Sequence, residues 1–123
     1  MIKTLICMTF YLKRNKIVVT GGSGRLGKLL QKKFKNFLYP KKKEFDITKI
    51  SSIEKYVKKY RPKKIIHLAG LSRPLEIHKK NPEKSILLNI IGTSNLSIVC
   101  NKHKIKLIYF STSYVYPGTK GNY

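Results

Sequence analysis

Acidic side chains are scarce: five aspartates and glutamates stand against 27 lysines and arginines, a formal net charge of +22. Cysteine is nearly absent. Cys7 and Cys100 form no Cys-x-x-Cys pair and have no histidine at metal-ligand spacing, which excludes a disulfide framework and predicts free thiols in a reducing cytoplasm, with no metal site. No apolar run approaches the roughly 20 residues that span a bilayer. The stretch from Thr4 to Leu12 is too short, lacks a small-residue cleavage site, and has Lys13 and Arg14 after it rather than before it, so it matches a signal peptide poorly. Residues 1–15 are therefore expected to be an N-terminal extension, disordered or the product of an upstream start codon, with no membrane partner.

The excess of positive charge has two readings. A strong positive field concentrates polyanions such as nucleic acid. The plainer reading is codon bias: lysine far outnumbers arginine, isoleucine and asparagine are plentiful, and Ala69 is the sole alanine, as an AT-rich genome produces. The lysines are spread through every segment, without a basic stripe interleaved with aromatics. No specific nucleic-acid partner is expected.

What is present is an alternation of short apolar runs with amphipathic stretches, in 123 residues that suffice for one domain. Ile17-Val18-Val19-Thr20 is β-branched and ends in glycines, reading as a buried strand. Leu26, Leu29, Leu30, Phe34 and Phe37 recur near helical spacing and predict a helix with one apolar face. Phe37-Leu38-Tyr39, stopped by Pro40, and Glu44 to Ile47 read as two brief strands. Ser51-x-x-Glu54 has the form of a capping box before Ile53, Tyr56, Val57 and Tyr60, and Arg61-Pro62 ends that helix. Lys64 to Leu68 is a further strand. Asn81 caps a helix that has Pro82 at its first position and runs to about Lys102, and Ile105 to Phe110 forms the last strand. With no hairpin signal, this order predicts an α/β fold: a Rossmann-type doubly wound parallel sheet over residues 16–123. The pattern stops soon after the last strand, so the sheet is expected to be truncated at its C-terminal side.

Thr20-Gly21-Gly22-Ser23-Gly24-Arg25-Leu26-Gly27 links the first strand to the first helix. Gly21 suits a tight turn, Gly24 lets backbone approach a pyrophosphate, and Gly27 lets helix and strand pack closely. Free N–H groups of the first helical turn would face the phosphates, with Arg25 adding a charge-assisted contact. A strand before and an amphipathic helix after make this a dinucleotide loop rather than a plain turn. Gly27-Lys28 is followed by Leu29 rather than Ser or Thr, so the loop lacks the signature of a nucleoside-triphosphate P-loop.

From Lys16 to Tyr123 the sequence resembles the extended short-chain dehydrogenase/reductases, closest to dTDP-4-dehydrorhamnose reductases and sugar-nucleotide epimerase/dehydratases. The landmarks are Thr20 to Gly27, Phe45-Asp46-Ile47-Thr48, His67-Leu68-Ala69-Gly70, Asn89-x-x-Gly92-Thr93-x-Asn95-Leu96, and Phe110-Ser111-Thr112-Ser113-Tyr114-Val115-Tyr116. The resemblance implies that Gly21, Ser23, Gly24, Arg25, Leu26 and Gly27 hold the pyrophosphate and that Asp46 and Ile47 flank the adenine. It implies that Leu68, Ala69 and Gly70 pass under the ribose and nicotinamide. Thr112 matches the hydroxyl residue that hydrogen-bonds the substrate carbonyl, although Ser113 stands where rhamnose-type reductases commonly have aspartate.

The family's acid is a tyrosine with a lysine four residues on, whose charge favours the phenolate. Tyr39–Lys43, Tyr60–Lys64 and Tyr116–Lys120 have that spacing, but each encloses a proline and none falls in a predicted helix. The acid is expected beyond Tyr123, leaving this chain inactive alone. Tyr39-Pro40-Lys41-Lys42-Lys43 carries no acidic residue to accept from a ribose 2′-OH, and its lysines suit a 2′-phosphate; NADP is expected over NAD. The implied function is the cofactor-binding part of an oxidoreductase that transfers hydride to or from a nucleotide-linked keto-sugar. The alternatives are a catalytically inert dinucleotide-binding fragment or a sugar-nucleotide epimerase/dehydratase. The helix over 82–102 resembles one that pairs subunits in a homodimer, against the repulsion of its lysines. Among the remaining residues, His67 is read as packed, His78 and His103 as solvated, Asn89 as mainly structural, Gly92 as a close-packing position, and Tyr114 and Tyr116 as core or pocket wall.

Overall fold

A computed structural model describes residues 16–110 except 73 and 75. Strand β1 (Ile17–Thr20) leads to helix α1 (Arg25–Lys33); helix α2 (Ile50–Tyr60) follows, then β2 (Lys64–His67). After α3 (Glu76–Lys80) come α4 (Pro82–Ile86), a π-helical turn (Leu87–Ile91), α5 (Gly92–Lys102) and β3 (Lys106–Tyr109).

The sheet is parallel in the order β1-β2-β3. Val18 faces Ile65 and Thr20 faces His67 across the first pair, and His67 faces Tyr109 across the second. On the other side of β1, Val19 N–H donates to Leu38 O and Leu38 N–H to Ile17 O, both at 2.8 Å. The chain thus leaves β1 toward one side, through α1, and returns to pair on the other, through α2. Such a reversal opens a crevice at the strand's C-terminal end.

Side chains alternate across a strand. Val18 and Ile65 therefore share a face, and they pack in one core with Ile53 and Val57 of α2 and Leu96, Val99 and Cys100 of α5. Right-handed crossovers put α1 on the opposite face, and cover there is thinner. Ile66 and Ile108 are half-buried, and Leu26 and Leu29 stand 42% and 62% exposed. The apolar stripe expected on the first helix exists, half-buried at Leu30, Phe34 and Phe37 and left exposed at Leu26 and Leu29.

Several local expectations are corrected. The strand at 37–39 shrinks to the single bridge of Leu38, because α1 ends at Lys33 and Phe34 stacks on Phe37 at 4.9 Å instead of continuing the helix. Residues 44–47 form turns rather than a strand: Phe45 N–H donates back to Lys41 O, and Thr48 bonds Asp46. The capping box does not form. Lys49 is the N-cap of α2, and the Ser52 hydroxyl accepts from Asp46 N–H, tying the helix to the loop before it. Asn81 does cap α4, its Oδ1 accepting from Lys84 N–H at 3.0 Å with Pro82 in the first turn. The helix expected as regular to Lys102 is interrupted by the π turn, in which Gly92 N–H reaches the Leu87 carbonyl five residues back.

Candidate functional site

A cavity of about 640 Å³ opens at the C-terminal end of β1, where the chain reverses. Its floor is the glycine loop. Gly21 sits at φ +71°, and a Cβ there would lie 2.6 Å from Ala69 N, so only glycine admits this close passage of the two loops. A Cβ on Gly27 would strike Gly21 O and the Gly22 backbone, so α1 presses directly on the turn that precedes it. Gly24 is the N-cap of α1, with no capping side chain and no acidic residue in the first turn. The first intrahelical bond is Lys28 N–H to Gly24 O at 2.9 Å, which leaves the amides of Arg25, Leu26 and Gly27 available to an anion, aided by the helix dipole.

Of the residues expected here, Gly21, Ser23, Gly24, Asp46, Ile47, Leu68, Ala69 and Gly70 line this cavity. Arg25, Leu26 and Gly27 do not: the Arg25 and Leu26 side chains are exposed on α1 and Gly27 is buried beneath the turn. Thr112, Tyr114 and Tyr116 lie outside the described residues, as does Cys7.

Lys28 and Gln31 reach the cavity from α1, and Gln31 Nε2 donates to Gly22 O at 2.8 Å. Their spacing from Gly24, four and seven residues, put them on one helical face, a signal that the sequence carried unused. Tyr39, Pro40, Lys41 and Lys42 form the far wall.

Asp46 and Ile47 are held by packing as well as bonding. Asn95 Nδ2 donates to Ile47 O at 3.1 Å, and a Cβ on Gly92 would lie 2.8 Å from Ile47 Cδ1. Gly92 is thus a close-packing position, as its setting suggested. Asp46 Oδ1 accepts from Thr48 N–H at 3.0 Å and from its hydroxyl at 2.7 Å. Burial pushes this carboxyl up, but the Thr48 bonds and the nearby Lys42 and Lys49 outweigh it and hold the pKa below 3.8. Asp46 is a carboxylate at neutral pH.

The loop after β2 is fixed from both ends. Leu68 and Ala69 donate to Thr20 Oγ1 at 3.2 and 3.1 Å, and Asn89 grips Leu71 by accepting from its N–H at 2.7 Å and donating to its carbonyl at 2.9 Å. His67 is 1% exposed, as the packed reading required. The other two histidines are not simply solvated. His78 Nδ1 lies 2.7 Å from Ser85 Oγ, and His103 Nε2 lies 3.1 Å from Glu54 Oε2, because each folds onto a neighbouring helix instead of into solvent.

Comparison with known sequences decides the lineage: the profile described as "RmlD substrate binding domain" matches residues 15–123. The chain belongs to this family. The GDP-6-deoxy-D-talose 4-dehydrogenase of Aggregatibacter actinomycetemcomitans is 37% identical over 110 residues, covering 82% of this chain and 36% of that protein. The methionine adenosyltransferase 2 subunit beta of Xenopus laevis is 29% identical over 119 residues, covering 88% and 35% respectively. Among solved structures, dTDP-4-dehydrorhamnose reductase of Bacillus anthracis, in complex with NADP, superposes with a TM-score of 0.79 at 32% identity, over 87% of this chain and 39% of that one. The chain spans about a third of the length of the curated relatives it matches (36% and 35%), and it has the doubly wound parallel fold of the reductase structures.

Proposed function

We propose that this chain is the NADP-binding part of a reductase that acts on a nucleotide-linked keto-sugar. The observation that carries the reading is the cavity at the reversal of β1, where free helix-end amides and three lysines converge on a floor of glycine backbone. The residues suit a dinucleotide: amides for the pyrophosphate, an apolar slot at Phe45 and Ile47 beside the Asp46 carboxylate for the adenine, and Lys41 and Lys42 for a 2′-phosphate. The Leu68–Gly70 loop would carry the ribose and nicotinamide. When bound, the cofactor supplies a hydride; Thr112 would orient the carbonyl that receives it. The names of the GDP-sugar and dTDP-sugar relatives support this substrate class. The acid partner belongs to the longer protein, so reductase activity is assigned to that protein, working in a reducing cytoplasm. Two copies would pair through the outer face of residues 82–102.

Calorimetric titration with NADP⁺ and NAD⁺ tests the cofactor reading. NADP⁺ should bind more tightly, and the Lys41→Glu, Lys42→Glu double variant should lose roughly tenfold to a hundredfold for NADP⁺ while sparing NAD⁺, since a charge-assisted contact contributes about 1.5–3 kcal/mol. Equal affinities in the unmodified chain would remove the 2′-phosphate argument.

A second reading is favoured by the relative named as subunit beta of a transferase: a dinucleotide-binding module that serves an assembly without doing chemistry itself. NADPH oxidation by the longer protein, supplied with GDP- or dTDP-linked 4-keto sugars, separates the two readings. Turnover supports the reductase; tight NADPH binding without turnover supports the module.

A further inference from the structure

Beneath the cavity floor lies a polar chain that runs through the buried His67. His67 Nδ1 is 2.7 Å from Thr20 Oγ1, and its Nε2 is 3.0 Å from Thr93 Oγ1. The two ends of this chain together fix where the ring carries its proton. At one end, the Leu68 and Ala69 amides can only donate, and both donate to Thr20 Oγ1. A hydroxyl has two lone pairs and one proton, so the Thr20 proton must go to Nδ1. At the other end, the Thr93 hydroxyl donates to Asn89 O at 2.8 Å, a carbonyl that can only accept. Thr93 Oγ1 therefore receives a proton from Nε2. The Thr93 end requires a hydrogen on Nε2 and the Thr20 end a bare Nδ1, so the two together require the neutral tautomer with hydrogen on Nε2 alone.

We propose that His67 is a positioning residue: a neutral Nε2–H imidazole that, through Thr20, holds the Leu68–Gly70 loop against the glycine turn, and that a second ring proton releases this loop. The role in cofactor binding rests on the NADP reading above. A proton on Nδ1 would point at an oxygen whose lone pairs are both occupied. To accept it, Thr20 must drop Leu68 or Ala69, and the loop that passes within 2.6 Å of the Gly21 Cβ position loses its tie to β1.

The surroundings favour the neutral ring. Burial alone lowers the His67 pKa from its ordinary 6.5, with no charged group contributing. Among the described residues, the titratable side chain packed against it is Tyr109 on β3, 5.7 Å away between ring centroids; Thr20 on β1 and Thr93 on α5 carry no charge. The lock is therefore closed at neutral pH and opens on the acid side of 6.5.

Three measurements on this chain test the proposal. Long-range ¹H–¹⁵N correlation of the imidazoles, with His67→Asn to identify the signal, should give the neutral Nε2–H pattern near pH 7.5; an Nδ1–H pattern overturns it. Amide exchange in the free chain should show Leu68 and Ala69 protected, with protection lost in Thr20→Val, retained in Thr20→Ser, and falling on acidification only where His67 is present. Protection indifferent to Thr20 and to pH also overturns it. NADP⁺ affinity should fall about tenfold more between pH 7.5 and 5 in the unmodified chain than in His67→Asn, a comparison that cancels the titration of the 2′-phosphate itself. Equal falls would refute the link to the cofactor. Absence of NADP⁺ binding beside the expected tautomer and exchange would sink the dinucleotide reading and leave the lock standing.

Discussion

Gly24 and Gly27 lie three residues apart in one loop, yet they answer to different constraints. A Cβ at Gly27 meets backbone of the preceding turn, whereas one at Gly24 meets only Gly21 O, at 3.3 Å. Gly27→Ala is expected to lower the unfolding free energy by roughly 1–3 kcal/mol, the usual cost of overpacking, read from the urea midpoint. Gly24→Ala should leave that midpoint nearly unchanged while weakening NADP⁺ binding, because its added methyl stands where the phosphates would approach. A large midpoint shift in Gly24→Ala would overturn this division. Cys100 is inert by the same kind of local reasoning: burial pushes its thiol up to about 11, so it stays protonated and unreactive in the folded chain.

At the scale of elements, α2 and α5 are joined twice, by the shared apolar core and by Glu54 at their outer edge. Glu54 accepts from Lys102 Nζ at 2.9 Å and lies 3.1 Å from His103 Nε2, with Lys58 at 3.6 Å. The bonds from Lys102 and His103 hold its carboxyl down to about 2, from an ordinary 4.5. A depressed carboxylate contributes stability that is present above 4.5 and lost as pH falls toward 2. His67 acts on a higher window. Its folded pKa lies below 6.5, so the unfolded chain binds a proton that the folded chain refuses, and stability declines as pH drops from 6.5. Thermal melts of Glu54→Gln should therefore show a shallower acid-side decline between 4.5 and 2, where Asp46, also held below its ordinary 3.8, still contributes, but keep the one beginning at 6.5. A variant that melts in parallel with the parent across both windows would show that the bridge is idle.

The whole molecule carries an apolar surface as well as a large positive charge. Ile86, Leu87, Ile90, Ile91 and Ile98 are exposed along one continuous stretch of helix at 43–58%. Burying such a patch favours self-association, while a net charge of +22 opposes it. Salt screens the repulsion and leaves the apolar gain. Sedimentation velocity should therefore show dimer growing as salt is raised, and an Ile90→Lys, Ile98→Lys variant should remain monomeric under the same conditions. Salt-independent monomer in the parent chain would end the pairing proposal. Among the described residues, no helix is long and apolar enough to cross a membrane.

Much of this was legible in the sequence because it depends on neighbours along the chain. The β-branched run ending at Gly21, the Asn81-Pro82 start and the apolar spacing of Ile53, Tyr56 and Val57 are short-range signals, and the structure keeps them. The glycine loop was readable for the same reason at Gly27, where a Cβ would strike Gly21 and Gly22, whereas the closest neighbour of Gly21 is Ala69, far along the chain. Residues 44–47 and Ser51 misled because their backbone groups are satisfied by partners that a local pattern does not reveal, Lys41 O and Ser52 Oγ among them. Only the tertiary structure could set Lys28 and Gln31 on the inner side of α1, open the π turn so that Asn89 grips Leu71, and join Thr20, His67 and Thr93 across up to 73 positions of sequence. Those contacts are fixed by the register of parallel strands whose partners lie far apart in the chain. Local chemistry determined that a glycine turn would join β1 to α1; sheet register decided which side chains hold the second loop over it.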